Sequence, residues 1–504
     1  LRLSFPGGLR LKRIHMRVFM LGWEFPPVIS GGLGTACYGL TKALSKRQAG
    51  VTFVLPKTID TDYTSHVKLL SPQAPQAAAG DRSPASVASS FAMDAPVVPG
   101  DTAESFENVS FRAVPSRLSS PYPDGSAPGN SDVAARGGDS SADAGRIGFI
   151  NPASSAPAPV SDPVPASADD VSTAVHGGDA PTDHPAGDPP PAPDYTRGDL
   201  TVEAQRYAGL CVALAAAEDF DVIHAHDWFT FPAGLAVARA TGKPLVVHVH
   251  STEFDRSGEH GHSVVADYEA QGCHGAHRVI AVSRRTKTVI AERYGVNENK
   301  IDVVYNGIDN GPARPDITLP PKIAKDDKIV LFLGRVTMQK GPEYFLQAAK
   351  RVLEKMDHVK FVVAGTGDKI QEMIEMVARA GIGPKVVFTG FLRGDDVERV
   401  FKMADVYVMP SVSEPFGIAP LEAISNDVPV IMSKQSGVSE VIEHALKVDF
   451  WDTDEMANKI IAVLRHPPLG ATLREHADLE VRRLTWEGAA DKCLEVYRSV
   501  AARN

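Results

Sequence analysis

Cysteine is scarce in this chain: Cys37, Cys211, Cys273 and Cys493 are scattered over 504 residues. That number and spacing exclude a disulfide framework and a Cys-x-x-Cys metal site, and the default they leave is a reducing, cytoplasmic compartment. Long apolar runs are missing too. The longest, such as residues 210–217, span about eight positions against the roughly 20 a membrane helix needs, so no integral membrane segment is expected. There is no basic excess: 52 Lys and Arg face 62 Asp and Glu, a net charge of −10. That balance argues against nucleic acid or an anionic membrane as partner. Histidine is plentiful in 224–227 and 248–262, and His-x-His on a strand turns both rings to one face. With no cysteine or His-Glu-x-x-His beside them, no metal site is expected.

What is abundant is proline, and it is unevenly placed. Of 38 prolines, 20 fall between residues 71 and 200. There Ala, Pro, Ser, Gly and Asp dominate and hydrophobic periodicity disappears, so 71–200 reads as a largely disordered insertion. One island, 107–115, is strand-like. Residues 1–15 hold four basic and no acidic residues and lack the apolar core of a signal peptide; they read as a leader outside the fold.

The rest alternates short apolar runs with amphipathic segments. Strands are expected at 16–22, 51–55, 220–226, 245–249, 278–282 and 301–305. Helices are expected from the Gly31-Gly32-Leu33-Gly34 turn onward and at 202–218, 234–241, 267–277 and 284–294. This α/β pattern makes a first domain over 16–310. After a linker at 311–328 it restarts, with strands at 329–333, 359–364, 386–389, 406–410 and 430–432. Helices at 342–356, 369–380, 396–404 and 419–426 separate them, giving a second domain over 329–480. A final amphipathic helix within 481–504 is placed to cross back to the first domain. Two doubly wound domains would face a cleft at the carboxyl ends of their strands, where such folds bind ligands.

Several motifs fall on those edges. Gly31 and Gly32 open a helix and allow close backbone approach to an anion, although their spacing matches neither the dinucleotide nor the P-loop fingerprint; a plain strand-to-helix turn is the alternative. Gly334-Arg335 follows a strand, and Lys340-Gly341 comes five residues on, so two cations could clamp a diphosphate, Arg with a bidentate fork and Lys as a point charge; a solvated surface pair is the alternative. Gly365-Thr366-Gly367 closes the next strand. Most specific is Glu414-Pro415-Phe416-Gly417-Ile418-Ala419-Pro420-Leu421-Glu422. One carboxylate leaves a strand and the other stands in a first helical turn, where it also favours the helix on its own account. Gly417 and Ile418 offer backbone N–H groups between the two.

This nonapeptide, with the glycine pair, the Gly-Arg…Lys-Gly segment and Val304-Tyr305-Asn306-Gly307-Ile308-Asp309, resembles the retaining glycosyltransferases of GT-B fold, group 1 or family 4 type. The segments Glu24-Phe25-Pro26-Pro27, His224-Ala225-His226-Asp227-Trp228 and Val249-His250-Ser251-Thr252-Glu253 are most similar to the glycogen and starch synthase branch. In one place the chain departs from that branch: Ile29 stands where bacterial glycogen synthases carry lysine, two residues before the glycine pair.

The resemblance implies transfer of a hexosyl, in particular glucosyl, unit from a nucleotide-sugar (UDP- or ADP-glucose) to a glucan or other carbohydrate acceptor. It implies no metal and no cofactor beyond that donor. Glu414 would meet the donor sugar and Glu422 the ribose. Arg335 and Lys340 would neutralise the diphosphate, with amides at Gly32, Gly417 and Ile418, glycines at Gly31, Gly334 and Gly365 near the phosphates, and His250 against the donor sugar. The alternative is a non-catalytic carbohydrate-binding or scaffold protein of the same fold.

Overall fold

The computed structural model describes residues 16–25, 31–56, 68–70, 109–113, 199–260, 263–309, 327–392 and 394–502. The leader 1–15, Ile29, most of the linker and most of the proline-rich stretch lie outside the described residues.

The first sheet contains β1 (Arg17–Leu21), β2 (Gly50–Leu55), β3 (Lys68–Leu70), β4 (Val109–Ala113), β5 (Val222–His226), β6 (Leu245–Val249), β7 (Arg278–Ala281) and β8 (Ile301–Val303). Their order is β3-β4-β2-β1-β5-β6-β7-β8, with every pairing parallel. The helices here are α1 (Gly32–Lys46), α2 (Asp199–Ala215), α3 (Asp227–Thr241), α4 (Glu253–Ser257), α5 (Val264–Gly275) and α6 (Arg284–Tyr294). β5 and β6 are buried at every position, as strands covered by helices on both faces must be.

The second sheet holds β9 (Lys328–Leu333), β10 (Val359–Ala364), β11 (Val386–Gly390), β12 (Val406–Met409), β13 (Val430–Ser433) and β14 (Leu446–Val448). Its order, β11-β10-β9-β12-β13-β14, is again all parallel. This is the dinucleotide-fold winding, in which the strand order reverses between the first and fourth strands and opens a crevice there. That point lies between β9 and β12. The accompanying helices are α7 (Pro342–Leu353), α8 (Ile370–Arg379), α9 (Asp395–Met403), α10 (Ala419–Ser425), α11 (Thr453–Arg465) and α12 (Pro467–Val481). The expected fold class, two doubly wound α/β units, is what the chain adopts.

The last helix, α13 (Trp486–Ala501), packs its apolar face into the first sheet's core: Trp486, Ala490, Cys493, Tyr497 and Val500 are buried there. Lys46 and Arg47 at the end of α1 pair with Glu487 and Asp491. A Cβ on Gly39 would lie 2.2 Å from the Trp486 ring, so α1 needs glycine at that crossing.

Two parts of the sequence reading change. The helix expected at 234–241 begins at Asp227 and runs through Pro232. Burial of Trp228, Phe229 and Phe231 carries it across the missing N–H, because packing overrides local propensity. Between 434 and 485, where the sequence reading gives no element, the chain forms β14, α11 and α12.

Candidate active site

The turns leaving β9, β10 and β12 meet at the reversal point of the second sheet. Gly334 N–H donates to Ala364 C=O at 3.0 Å and Val336 N–H to Thr366 C=O at 2.8 Å, so the β9 and β10 exits run side by side. Gly365 has φ +142°, and a Cβ there would lie 1.9 Å from the Gly334 carbonyl oxygen. The glycine is therefore a packing requirement of these turns, whatever the turns bind.

The β9 exit carries both cations. Arg335 reaches the Gln339 side chain at 3.3 Å, and the Gln339 backbone carbonyl accepts from Val412 N–H at 2.9 Å. That bond ties the cationic turn to the loop after β12. There Lys340 Nζ donates to the Glu414 carboxylate, which also accepts from Ser411 Oγ at 3.3 Å. Glu414 is 6% exposed, and its backbone is clamped against Gln435 and Gly437. The carboxylate is thus held by one lysine and one hydroxyl at the mouth of the second sheet.

Beyond it, Gly417 takes φ +103°, a left-handed conformation suited to glycine, and turns the chain into α10. Ile418 caps α10, Pro420 lies in its first turn, and Glu422 follows on the same turn. Burial raises the Glu422 carboxyl above its ordinary range, so a hydroxyl donor brought to it would be welcome.

On the first sheet, His250 follows β6. Its backbone N–H donates to Asp227 Oδ1 at 2.6 Å, and Ser251 N–H donates to the same oxygen at 3.4 Å. Asp227 itself has φ +57°, unusual outside glycine. The sequence reading quoted Asp227 within a motif and gave it no role; its position at a strand-to-helix junction is the signal that could have found it. His250 Nε2 lies 2.9 Å from His226 Nδ1, and the desolvation of this neighbourhood holds the His250 imidazole down to about 3. At the start of α1, Gly31 is extended and Gly32 opens the helix; added Cβ atoms would meet only Glu24 Oε2 at 3.9 Å and nothing, respectively. Packing does not demand glycine at either place.

The two halves meet beside Glu414. Ser413 Oγ donates to Asp255 Oδ1 at 2.5 Å and accepts from Arg285 at 3.0 Å. Thr286 Oγ1 donates to Pro415 C=O at 3.3 Å. Glu440 accepts from the Arg284 and Arg285 backbone N–H groups at 2.9 and 2.7 Å, capping α6, and from the Tyr305 hydroxyl at 3.0 Å. Asp255, Ser413 and Glu440 were not singled out from sequence, because only the tertiary fold brings them together. Strand pairing also gathers more histidine than the sequence reading allowed: His226 stands opposite His248, so the two His-x-His pairs share one face. Among the described residues, no helix is long and apolar enough to cross a membrane.

Comparison with known proteins places these features. The family model "Glycosyl transferases group 1" matches residues 314–479, "Glycosyltransferase Family 4" matches 167–311, and "Starch synthase catalytic domain" matches 17–112. An uncharacterised glycosyltransferase of Methanocaldococcus jannaschii is 32% identical over 311 residues, 57% of this chain and 77% of that protein. The alpha-maltose-1-phosphate synthase of Mycolicibacterium smegmatis is 30% identical over 318 residues, 57% of this chain and 81% of that one. HepE of Anabaena, solved in complex with UDP and glucose, matches at a TM-score of 0.57 and 16% identity. The match covers 96% of this chain and 100% of HepE, a likeness of fold. The two parallel-sheet units are thus those of a GT-B protein, and the chain belongs to the group 1 glycosyltransferases.

Proposed function

We propose that the protein transfers a hexosyl unit, in particular glucosyl, from a nucleoside-diphosphate sugar to a carbohydrate acceptor with retention at the anomeric carbon, in the manner of the glycogen and starch synthases. The observation that carries this reading is the Lys340–Glu414 pair at the reversal point of the second sheet, with Arg335 on the same turn and Glu422 on the next helix. A diphosphate set against Arg335 and Lys340, with the amides of Gly32, Gly417 and Ile418, would have its charge met without a metal. Gly334 and Gly365 lie together on the second sheet's edge, and Gly31 precedes α1 of the first unit. Glu422 would accept from the ribose and Glu414 from the sugar, while His250 faces the sugar from the first domain. Fold likeness to a protein solved with UDP and glucose, and the maltose-1-phosphate synthase relative, support a sugar-nucleotide donor, which we take to be UDP- or ADP-glucose.

In the step itself, the bond from C1 to the diphosphate oxygen breaks and the electron pair leaves with the diphosphate. The acceptor oxygen attacks C1 from the same face, and its proton passes to the departing phosphate oxygen. Charge on the leaving group grows along this path, and cations fixed in advance lower its barrier most. Closure of the two halves keeps water from taking the acceptor's place. No further cofactor enters this scheme. The buried thiols suit a reducing, cytoplasmic setting. A nucleotide-release screen over UDP-, ADP- and GDP-sugars, with and without glucan, tests the proposal. Acceptor-dependent release from one glucosyl donor is expected; no release from any donor would overturn it.

A further inference from the structure

Beneath the candidate active site, the parallel register of β5 and β6 sets His224 opposite Val246 and His226 opposite His248. Alternate residues of a strand share a face, so His224, His226, His248 and His250 form one group. The rings of His224 and His226 are 4.3 Å apart and those of His248 and His250 4.1 Å, while His248 lies 5.3 Å from both His224 and His226. His224, His226 and His248 are at most 2% exposed, and each offers a ring nitrogen within 4.8 Å of the others.

The hydrogen bonding of these rings is incomplete in a particular way. Nε2 of His224, Nε2 of His226 and both nitrogens of His248 are buried without a hydrogen-bond partner. Buried polar atoms are ordinarily paired, and those that are not call for an explanation. The opposite nitrogens of His224 and His226 are engaged: Nδ1 of His224 with the Tyr497 hydroxyl, and Nδ1 of His226 with Nε2 of His250 at 2.9 Å. In each of these two rings one nitrogen is thus engaged while the other is buried and free of a partner. Metal-ligating histidines are held in this way, the outer N–H fixing tautomer and ring orientation.

We propose that His224, His226 and His248 bind one divalent transition-metal ion of the zinc class, with Tyr497 and His250 receiving the outer N–H groups of His224 and His226. Three neutral imidazoles suit Zn²⁺ and its neighbours rather than Mg²⁺ or Ca²⁺, which take oxygen ligands. Zn–N bonds of about 2.0–2.1 Å require the three rings to turn inward together. The site is separate from the diphosphate clamp, so it asks nothing of the metal in the transfer step. Its effect on that step is indirect. A proton held on His226 Nδ1 and donated to His250 Nε2 leaves neutral His250 with its own proton on Nδ1, which fixes how that ring can bond a ligand. This last consequence, unlike the metal site, rests on the donor-sugar role proposed for His250.

The test uses the full chain, stripped with chelator and titrated with Zn²⁺ against a competing chromophoric chelator, and with Co²⁺ followed by its visible ligand-field bands. One equivalent with a tetrahedral cobalt spectrum is expected, a water completing the three imidazoles as fourth ligand. His226→Ala and His248→Val should each lose that equivalent, and Tyr497→Phe should weaken binding about 10–100-fold. His444→Ala, at a surface ring stacked on His476, should leave binding unchanged. Far-UV circular dichroism checks each variant's fold; should the β-strand variants fail it, the wild-type stoichiometry with Tyr497→Phe and His444→Ala decides. No equivalent bound by the wild type would overturn the proposal. So would binding that survives His226→Ala and His248→Val, or binding lost in His444→Ala. Because the readout is metal content and spectrum, a protein inactive on every sugar nucleotide could still satisfy it, and the failure of either proposal is told apart from the other.

Discussion

Lys340 and Glu414, 74 positions apart in the chain, are joined by a hydrogen-bonded ion pair at the edge where β9 and β12 open. The pair links the proposed diphosphate cation to the proposed sugar acceptor, so each residue holds the other in place before any donor arrives. Lys340→Ala and Glu414→Ala should each cut nucleotide release by at least about 100-fold. Their circular dichroism spectra should stay native. Full activity in both variants would remove these two residues from the mechanism.

Glycines at the site divide into two kinds, and one experiment separates them. Gly365→Ala places a methyl group 1.9 Å from a backbone oxygen at a positive φ, so it should lose about 1–3 kcal/mol of stability. Gly32→Ala meets nothing within 4 Å and should stay within about 0.5 kcal/mol of the parent. If a diphosphate lies over Gly32, that same variant should weaken donor binding. Chemical denaturation alongside donor titration reads both effects.

Glu440 caps α6 from the other half of the molecule and takes the Tyr305 hydroxyl as well. Glu440→Gln keeps its shape and loses its charge. The expected cost is about 1–2 kcal/mol, since hydrogen bonds to charged groups exceed neutral ones. Differential scanning calorimetry should show that loss, and an unchanged transition would assign the joint between the halves to other contacts.

The Glu422 carboxyl is raised by burial, which sets a sign for pH. A raised carboxyl binds its proton more readily in the folded protein, so this group's contribution to stability falls as pH rises from about 4.5 through its folded value. A ribose hydroxyl donating to it favours the charged form and lowers that value. Donor binding should therefore release protons in this window and tighten as pH rises. Calorimetry in two buffers of different ionisation heat measures the protons; Glu422→Gln should abolish their release.

Much of this was legible in the sequence because buried parallel strands are written as short apolar runs, as at 329–333 and 406–410, and because the cations and the first carboxylate follow those runs within a few residues. What escaped is tertiary. The start of α3 was hidden by Pro232, whose local meaning the packing of Trp228 and Phe231 overrides. The bond from Ser413 to Asp255 joins loops 158 positions apart, and nothing local to either residue anticipates it. The sequence reading weighs the two His-x-His stretches together and sets them aside for want of cysteine, and only the strand register shows His226 and His248 side by side.

The α13 helix carries a consequence for the order in which the protein is made. Its Trp486, Tyr497 and Val500 complete the core of the first sheet, yet they leave the ribosome after the whole of the second. Domains ordinarily fold in the order of synthesis. Here the second unit can close on itself while the first still awaits its final helix, with the apolar floor of α1 and β5 uncovered until then. Loss of residues from 486 onward should accordingly harm the half of the molecule that is translated first.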